Sequence, residues 1–291
     1  MLGILLLCNG AVVMAAKEPS GWVQETYDWF YIEDGEKLTG WQELEGKKYY
    51  FNEDGILQTG WQEVDGQMYY FNTSGSLARD GFMTIDEEYH YFDKEGKPAV
   101  GAKDIDGNSY YFDRKGVMQT GWIYRDGASY YYNLETGRMA KDGFMVIDNE
   151  YYYFDQDGGK PTGEMTYQGR DYYFEQPGLM YRGWLEKDGS LYYYMEDTGE
   201  KAKDGFMVIG GKYYYFDKTG KTAIGEKEIK GETYYFNAKG AMLTGWLHKD
   251  GDFYYYNPDT GMMARDGKIY MGGYDFYFDE DGKYIRAEKA F

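Results

Sequence analysis

The sequence predicts an all-β chain: a β-solenoid of stacked β-hairpins, about three hairpins per turn. Three observations lead there. A short module opening on glycine recurs thirteen times, at Gly21, Gly40, Gly60, Gly81, Gly101, Gly121, Gly143, Gly163, Gly183, Gly205, Gly225, Gly245 and Gly267. Self-similarity at so short a spacing marks a repeat architecture. Each copy holds two aromatic and β-branched runs parted by a two-residue turn. The copies also sort into threes: Gly81, Gly143, Gly205 and Gly267 lie 62 residues apart, as do Gly101, Gly163 and Gly225, and Gly121, Gly183 and Gly245.

The elements follow in order from the clearest copy. Gly60 to Val64 reads as a first strand and Asp65-Gly66 as its turn, because a type I′ hairpin needs positive φ at both central residues. Glu45-Gly46, Asp106-Gly107, Asp126-Gly127, Asp188-Gly189 and Asp250-Gly251 repeat that turn, and Asp148-Asn149, Gly210-Gly211 and Gly272-Gly273 meet the same demand. Gln67 to Phe71 is the second strand. A further turn follows, such as Asn52-Glu53-Asp54-Gly55 or Asn257-Pro258-Asp259-Thr260-Gly261, and then a linker with apolar residues such as Ile56-Leu57 or Met262-Met263.

Strand alternation sorts the side chains. Tyr69 and Phe71 share one face of the second strand, Met68 and Tyr70 the other. On the first strand Trp61 and Glu63 oppose Gln62 and Val64. The Val64 position is also apolar at Leu44, Ile85, Ile105, Ile147, Ile209 and Ile229, so it is read as core beside the Tyr69 and Phe71 positions. One hairpin is marginal alone; stacked hairpins bury a shared core, which is why copies come in series.

Within each group of three, the first unit begins Gly-Phe (Phe82, Phe144, Phe206). The second has no aromatic there (Ala102, Glu164, Glu226), and the third begins Gly-Trp (Trp122, Trp184, Trp246). A superperiod of three units predicts that like units stack above one another, giving a three-faced rod of about four turns with a different chemistry on each face. The opening units depart from the pattern, since Trp22, Trp41 and Trp61 all follow glycine.

Composition narrows the function. With 50 acidic against 31 basic side chains the formal charge is -19, a field that repels nucleic acid, whose binding runs on Lys and Arg neutralising phosphates. Residues 1–16 read as a signal peptide with an apolar run from Leu2 to Ala16, too short for a transmembrane segment of about 20 residues. Its basic n-region is missing, which is the pattern of a truncated start. Residues 17–20 form a short linker and 21–291 the repeat array. The single cysteine, Cys8, falls in the leader, so a mature chain is expected to hold itself together without disulfides. The expected location is outside the cell, at a wall or surface.

Gly-Trp, then Asp-Gly, then Tyr-Tyr-Phe-Asn, then glycine and a short linker resembles the cell-wall-binding, or choline-binding, repeats. It is similar too to the C-terminal repeats of glucan-binding streptococcal proteins and large clostridial toxins. The resemblance covers nearly the whole mature chain. It implies a hairpin solenoid, non-covalent attachment to a surface polymer, and in the choline-binding branch a small aromatic cage. That cage uses the Trp after the lead glycine, an aromatic just before Tyr-Tyr, and an aromatic from the next hairpin. A quaternary ammonium has no hydrogen to donate, so π faces and negative charge must hold it.

The chain departs from that pattern. Lys48, Met68, Ser129 and Leu191 precede Tyr-Tyr in most Gly-Trp units, and Trp246 with Phe253 is read as the Gly-Trp unit keeping both aromatics. The Gly-Phe units bring their own pairs, Phe82 with Tyr89, Phe144 with Tyr151 and Phe206 with Tyr213, and Tyr111, Tyr173 and Tyr235 are expected to close them. Trp61, Trp122, Trp184 and Trp246 form a second candidate strip. Choline-bearing teichoic acid and a glucan-type polysaccharide both fit such rings. The competing class is a structural or adhesive rod contacting host or partner proteins. No cofactor or metal is implied: the acidic turns lack calcium-loop spacing and Asn, Asp and Gly there are explained as turn residues. His90 and His248 stand alone, and no nucleophile–base arrangement exists, so no enzyme is expected.

Overall fold

The computed structural model describes residues 20–290, and the leader expected over residues 1–16 lies outside the described residues. Among the described residues every hairpin expected from a lead glycine forms, and no helix is present. The chain divides into two compact units, one ending at Ala140 and the next beginning at Lys141. The first holds the six hairpins that open at Gly21 to Gly121; the second holds the seven from Gly143 to Gly267.

Each hairpin repeats one register. In the third, Gly60–Val64 pairs with Gln67–Phe71, placing Trp61 opposite Tyr70, Gln62 opposite Tyr69, Glu63 opposite Met68 and Val64 opposite Gln67. Asp65 and Gly66 turn the chain with φ of 51° and 75°, the paired left-handed geometry of a type I′ turn. The second turn is closed by an Asx side chain. Asn72 Oδ1 accepts from the backbone N–H of Ser74 at 2.9 Å and of Ser76 at 3.2 Å, and Asn237 does the same for Lys239 and Ala241 in the second unit. The oxygens proposed from sequence as turn formers are thus engaged with backbone.

Successive hairpins are stapled through the linkers. The Leu77 N–H donates to the Lys48 carbonyl of the preceding hairpin at 2.8 Å, while Ala78 N–H returns to Tyr70 of its own hairpin at 2.8 Å. In the second unit Met242 and Leu243 bond Tyr213 and Tyr235 in the same way. Pro98 stands where Leu77 would and has no N–H to give; the Met68 carbonyl takes its bond from the Gln67 side chain at 3.1 Å instead.

Within each unit the core is built on rings from the ends of the second strands. Phe51, Phe71, Phe92, Phe112 and Tyr132 in the first unit, and Phe154, Phe174, Tyr194, Phe216, Phe236 and Tyr256 in the second, are fully buried. Val64, Ile85, Ile105, Ile147 and Ile229 are buried as expected, whereas Leu44 and Ile209 are half-buried. The alanines of the linkers, Ala78 and Ala202 among them, fill the space between rings. Three places break the pattern. Glu36–Lys37 adds a third strand to the first hairpin. Leu179–Met180 joins the seventh and eighth hairpins into one five-stranded sheet, with a bulge between Phe174 and Gln176. Tyr284–Lys289 adds a third strand to the last hairpin, covering an edge that would otherwise stay unpaired.

Candidate ligand site: aromatic corners between successive hairpins

The residue after the lead glycine and the residue before the Tyr-Tyr pair share a face of one hairpin, because the register sets them on the same side of the pleat. The next hairpin contributes a ring from its second strand. In the fourth repeat Phe82 meets Tyr110 with centroids 5.1 Å apart and planes 59° apart. In the seventh Phe144 meets Tyr172 at 5.0 Å and 53°; in the tenth Phe206 meets Tyr234 at 5.1 Å and 57°. Tyr89, Tyr151 and Tyr213 stand on the same hairpin face as these phenylalanines, diagonally across the strand pair.

The ring that meets each phenylalanine is the first tyrosine of the next pair, Tyr110, Tyr172 or Tyr234, whereas the expected Tyr111, Tyr173 and Tyr235 stand elsewhere. The physical reason is alternation. The first tyrosine faces back toward the preceding hairpin, together with the buried Phe at the strand end. The second lies on the opposite face, turned toward the following hairpin, where Tyr111 is opposite Ala102, Tyr173 opposite Glu164 and Tyr235 opposite Glu226. There these rings pack onto Tyr132, Tyr194 and Tyr256, at 6.1, 5.9 and 6.1 Å.

The corner has a buried floor and open walls. Tyr110 is 6% exposed, while Phe82 is 45% and Tyr89 53% exposed. Rings inclined near 60° present converging surfaces to one small body rather than a flat platform. A compact cation can touch several π surfaces at once there, whereas a sugar face stacks on one.

Trp61, Trp184 and Trp246 enter the same geometry. Trp61 packs on Tyr70 at 5.3 Å and on His90 of the next hairpin at 5.2 Å. Trp184 packs on Tyr193 and Tyr214 at 4.9 and 4.7 Å. Trp122 packs on Tyr131 at 5.1 Å. Trp246 meets Tyr255 at 5.2 Å and Phe276 of the last hairpin at 5.5 Å, with Phe253 on its face and Tyr284 closing at 5.5 Å. Trp61, Met68 and His90 line a cleft of about 580 Å³, bordered also by Ile85, Pro98 and Arg114.

One complete set escaped the motif. In the first repeat Trp22 and Trp29 share a hairpin face, and Trp22 meets Tyr49 at 5.1 Å. Its second strand reads Trp29-Phe30-Tyr31-Ile32 rather than Tyr-Tyr-Phe, so only the register, with Trp22 opposite Tyr31, aligns it.

Burial lowers the His90 pKa below the ordinary imidazole value, against the raising effect of Glu88, the Gly116 backbone, Asp113 and Asp86. Burial would raise the Asp217 carboxyl, but bonds from Thr219 and from the Lys221 backbone hold it below the ordinary range.

The repeats and their fold are similar to those of known proteins. A choline-binding repeat model matches residues 38–82, 58–98, 99–144, 126–161, 161–206 and 223–267, and a cell wall binding repeat model matches 209–221. The structure is similar to that of CbpJ from Streptococcus pneumoniae TIGR4, with 26% identity, a TM-score of 0.61, and 92% of this chain and 100% of that one covered. It is similar also to choline binding protein F from Streptococcus pneumoniae, with 27% identity, a TM-score of 0.56, and coverage of 92% and 99%. That protein has also been solved in the presence of a peptidoglycan analogue, a tetrasaccharide-pentapeptide, and this second structure matches at 26% identity, a TM-score of 0.56, and coverage of 92% and 99%. No match was found among curated protein sequences. Among the described residues no helix is long and apolar enough to cross a membrane.

Proposed function

The chain belongs to the choline-binding repeat family, and from that premise we propose that it is a non-catalytic tether to a bacterial cell-wall polymer bearing choline. The single observation that carries this reading is the recurring three-ring corner, as in Phe206, Tyr213 and Tyr234, with one buried and two open rings. Cation–π attraction is worth about 0.5–2 kcal/mol per contact depending on desolvation, so each corner binds weakly and the series binds by avidity. The formal charge of -19 adds a field favourable to cationic groups.

We further infer that within each unit the hairpins wind as a solenoid, three to a turn. The 62-residue recurrence and the linker bonds such as Leu77 to Lys48 and Met242 to Tyr213 support it. The place of action in this reading is the outer surface of the cell, after secretion.

The test is retention on purified cell walls with and without free choline. Release by choline is the expected result, together with weakened retention in a Phe206→Ala, Tyr213→Ala double variant. Retention that ignores choline but yields to soluble glucan would move the ligand to a sugar. No retention at all would favour the adhesive rod.

A further inference from the structure

Not every corner stands open. In the second repeat the three positions are Trp41, Lys48 and Tyr69. Trp41 and Tyr69 keep the geometry of the other repeats, with centroids 5.0 Å apart. Lys48 stands where Tyr89, Tyr213 or Trp29 stands elsewhere, and its Nζ lies 4.2 Å from the centroid of the Trp41 ring. Glu43 is directly opposite it across the strands, yet the ammonium is folded onto the indole. It is a protein cation on the π face that would hold a ligand cation.

The eighth repeat shows the same device with other groups. Its corner positions are Glu164, Asp171 and Tyr192. Lys201 Nζ sits 3.2 Å from Glu164 Oε1 and 4.6 Å from the Tyr192 ring, with its side chain only 8% exposed. Lys203 Nζ pairs with Asp171 at 2.9 Å. Met139 and Met263 occupy the positions 62 residues to either side of Lys201, so the lysine belongs to this corner and not to the repeat.

We propose that Lys48 is a built-in occupant of the second corner, a specificity-determining residue that closes it to quaternary ammonium groups. The proposal rests on the choline reading of the other corners. A tethered side chain competes at an effective concentration on the order of millimolar, and its aliphatic stem also covers the ring. The free ligand must displace it to enter. Such closing spaces the open sites, so that neighbouring polymer units need not crowd into consecutive repeats.

Two measurements on the full chain test it. Calorimetric titration with choline chloride compares the wild type with Lys48→Tyr, which supplies the ring that Tyr89 supplies in the fourth repeat, and with Lys48→Met. The expected result is one additional equivalent of choline bound by Lys48→Tyr, with circular dichroism unchanged. An unchanged stoichiometry in a folded Lys48→Tyr variant overturns the proposal. NMR reads the occupant directly: the Lys48 ε-methylene protons are expected upfield of the other lysines, shifted by the Trp41 ring current, and assigned by their loss in Lys48→Met. Random-coil positions for them overturn it as well. A wild type that takes up no choline defeats the tether reading instead, and the NMR result then decides alone whether Lys48 holds the corner.

Discussion

At the scale of single residues, backbone conformation is the strictest constraint. Gly55 ends a second turn with φ of 78°, and a Cβ there would come within 2.8 Å of the Lys37 Cβ and 3.3 Å of the Leu38 carbonyl oxygen. Neither is the loose end of a side chain. The left-handed region alone costs an L-residue about 1–2 kcal/mol, and the contact adds to it. Gly55→Ala is therefore expected to destabilise the first unit by about 1–3 kcal/mol, read as a lowered denaturation midpoint. An unchanged midpoint would mean that the turn relaxes freely. Gly66 has open space around it, so the cost of a side chain there is conformational only.

At the scale of the element, one hairpin's second strand does two jobs. It delivers a buried ring to the core and a neighbouring ring to the corner of the preceding repeat. His90 holds that second position in the fourth hairpin, against Trp61 at 5.2 Å, and is only 3% exposed with Nδ1 lacking a hydrogen-bond partner. Its folded pKa lies below its unfolded one because burial penalises the charged form. Unfolded chain therefore takes up the proton first, and the stabilisation is present above the unfolded value of about 6.5 and lost as pH falls through the folded one. Thermal midpoints measured between pH 7.5 and 5 should fall more for the wild type than for His90→Tyr, which installs the ring of the sister repeats. Parallel curves for the two proteins would show that His90 does not titrate with folding.

At the scale of the whole chain, the open corners occur in both units: Trp22, Trp29 and Tyr49, with Phe82, Tyr89 and Tyr110, in the first; Phe206, Tyr213 and Tyr234, with Trp246, Phe253 and Phe276, in the second. Sites in series multiply rather than add, and linked weak sites can gain about 10²–10⁴ in apparent affinity. Phe82→Ala and Phe206→Ala are expected each to raise the off-rate from cell walls several-fold, and the double variant to raise it by the product of the two. Free choline should bind the remaining sites with unchanged affinity. An off-rate that merely scales with the number of sites lost would argue against serial engagement.

Much of this was legible from the amino acids. Asp-Gly and Gly-Gly pairs demanded the turns through their φ angles, and period-two alternation placed Val64 and Phe71 in the core, because both are local rules of the chain. The partners Phe82 with Tyr89 lie on one hairpin face for the same reason. What could not be read was which ring arrives from the next hairpin, since that depends on how one pleat faces another. The choice of Tyr110 over Tyr111, the set around Trp22, and the folding of Lys48 onto Trp41 are all decided between hairpins. Contacts across that gap are set by packing against the buried rings, and packing is a property of the folded chain, not of any one repeat.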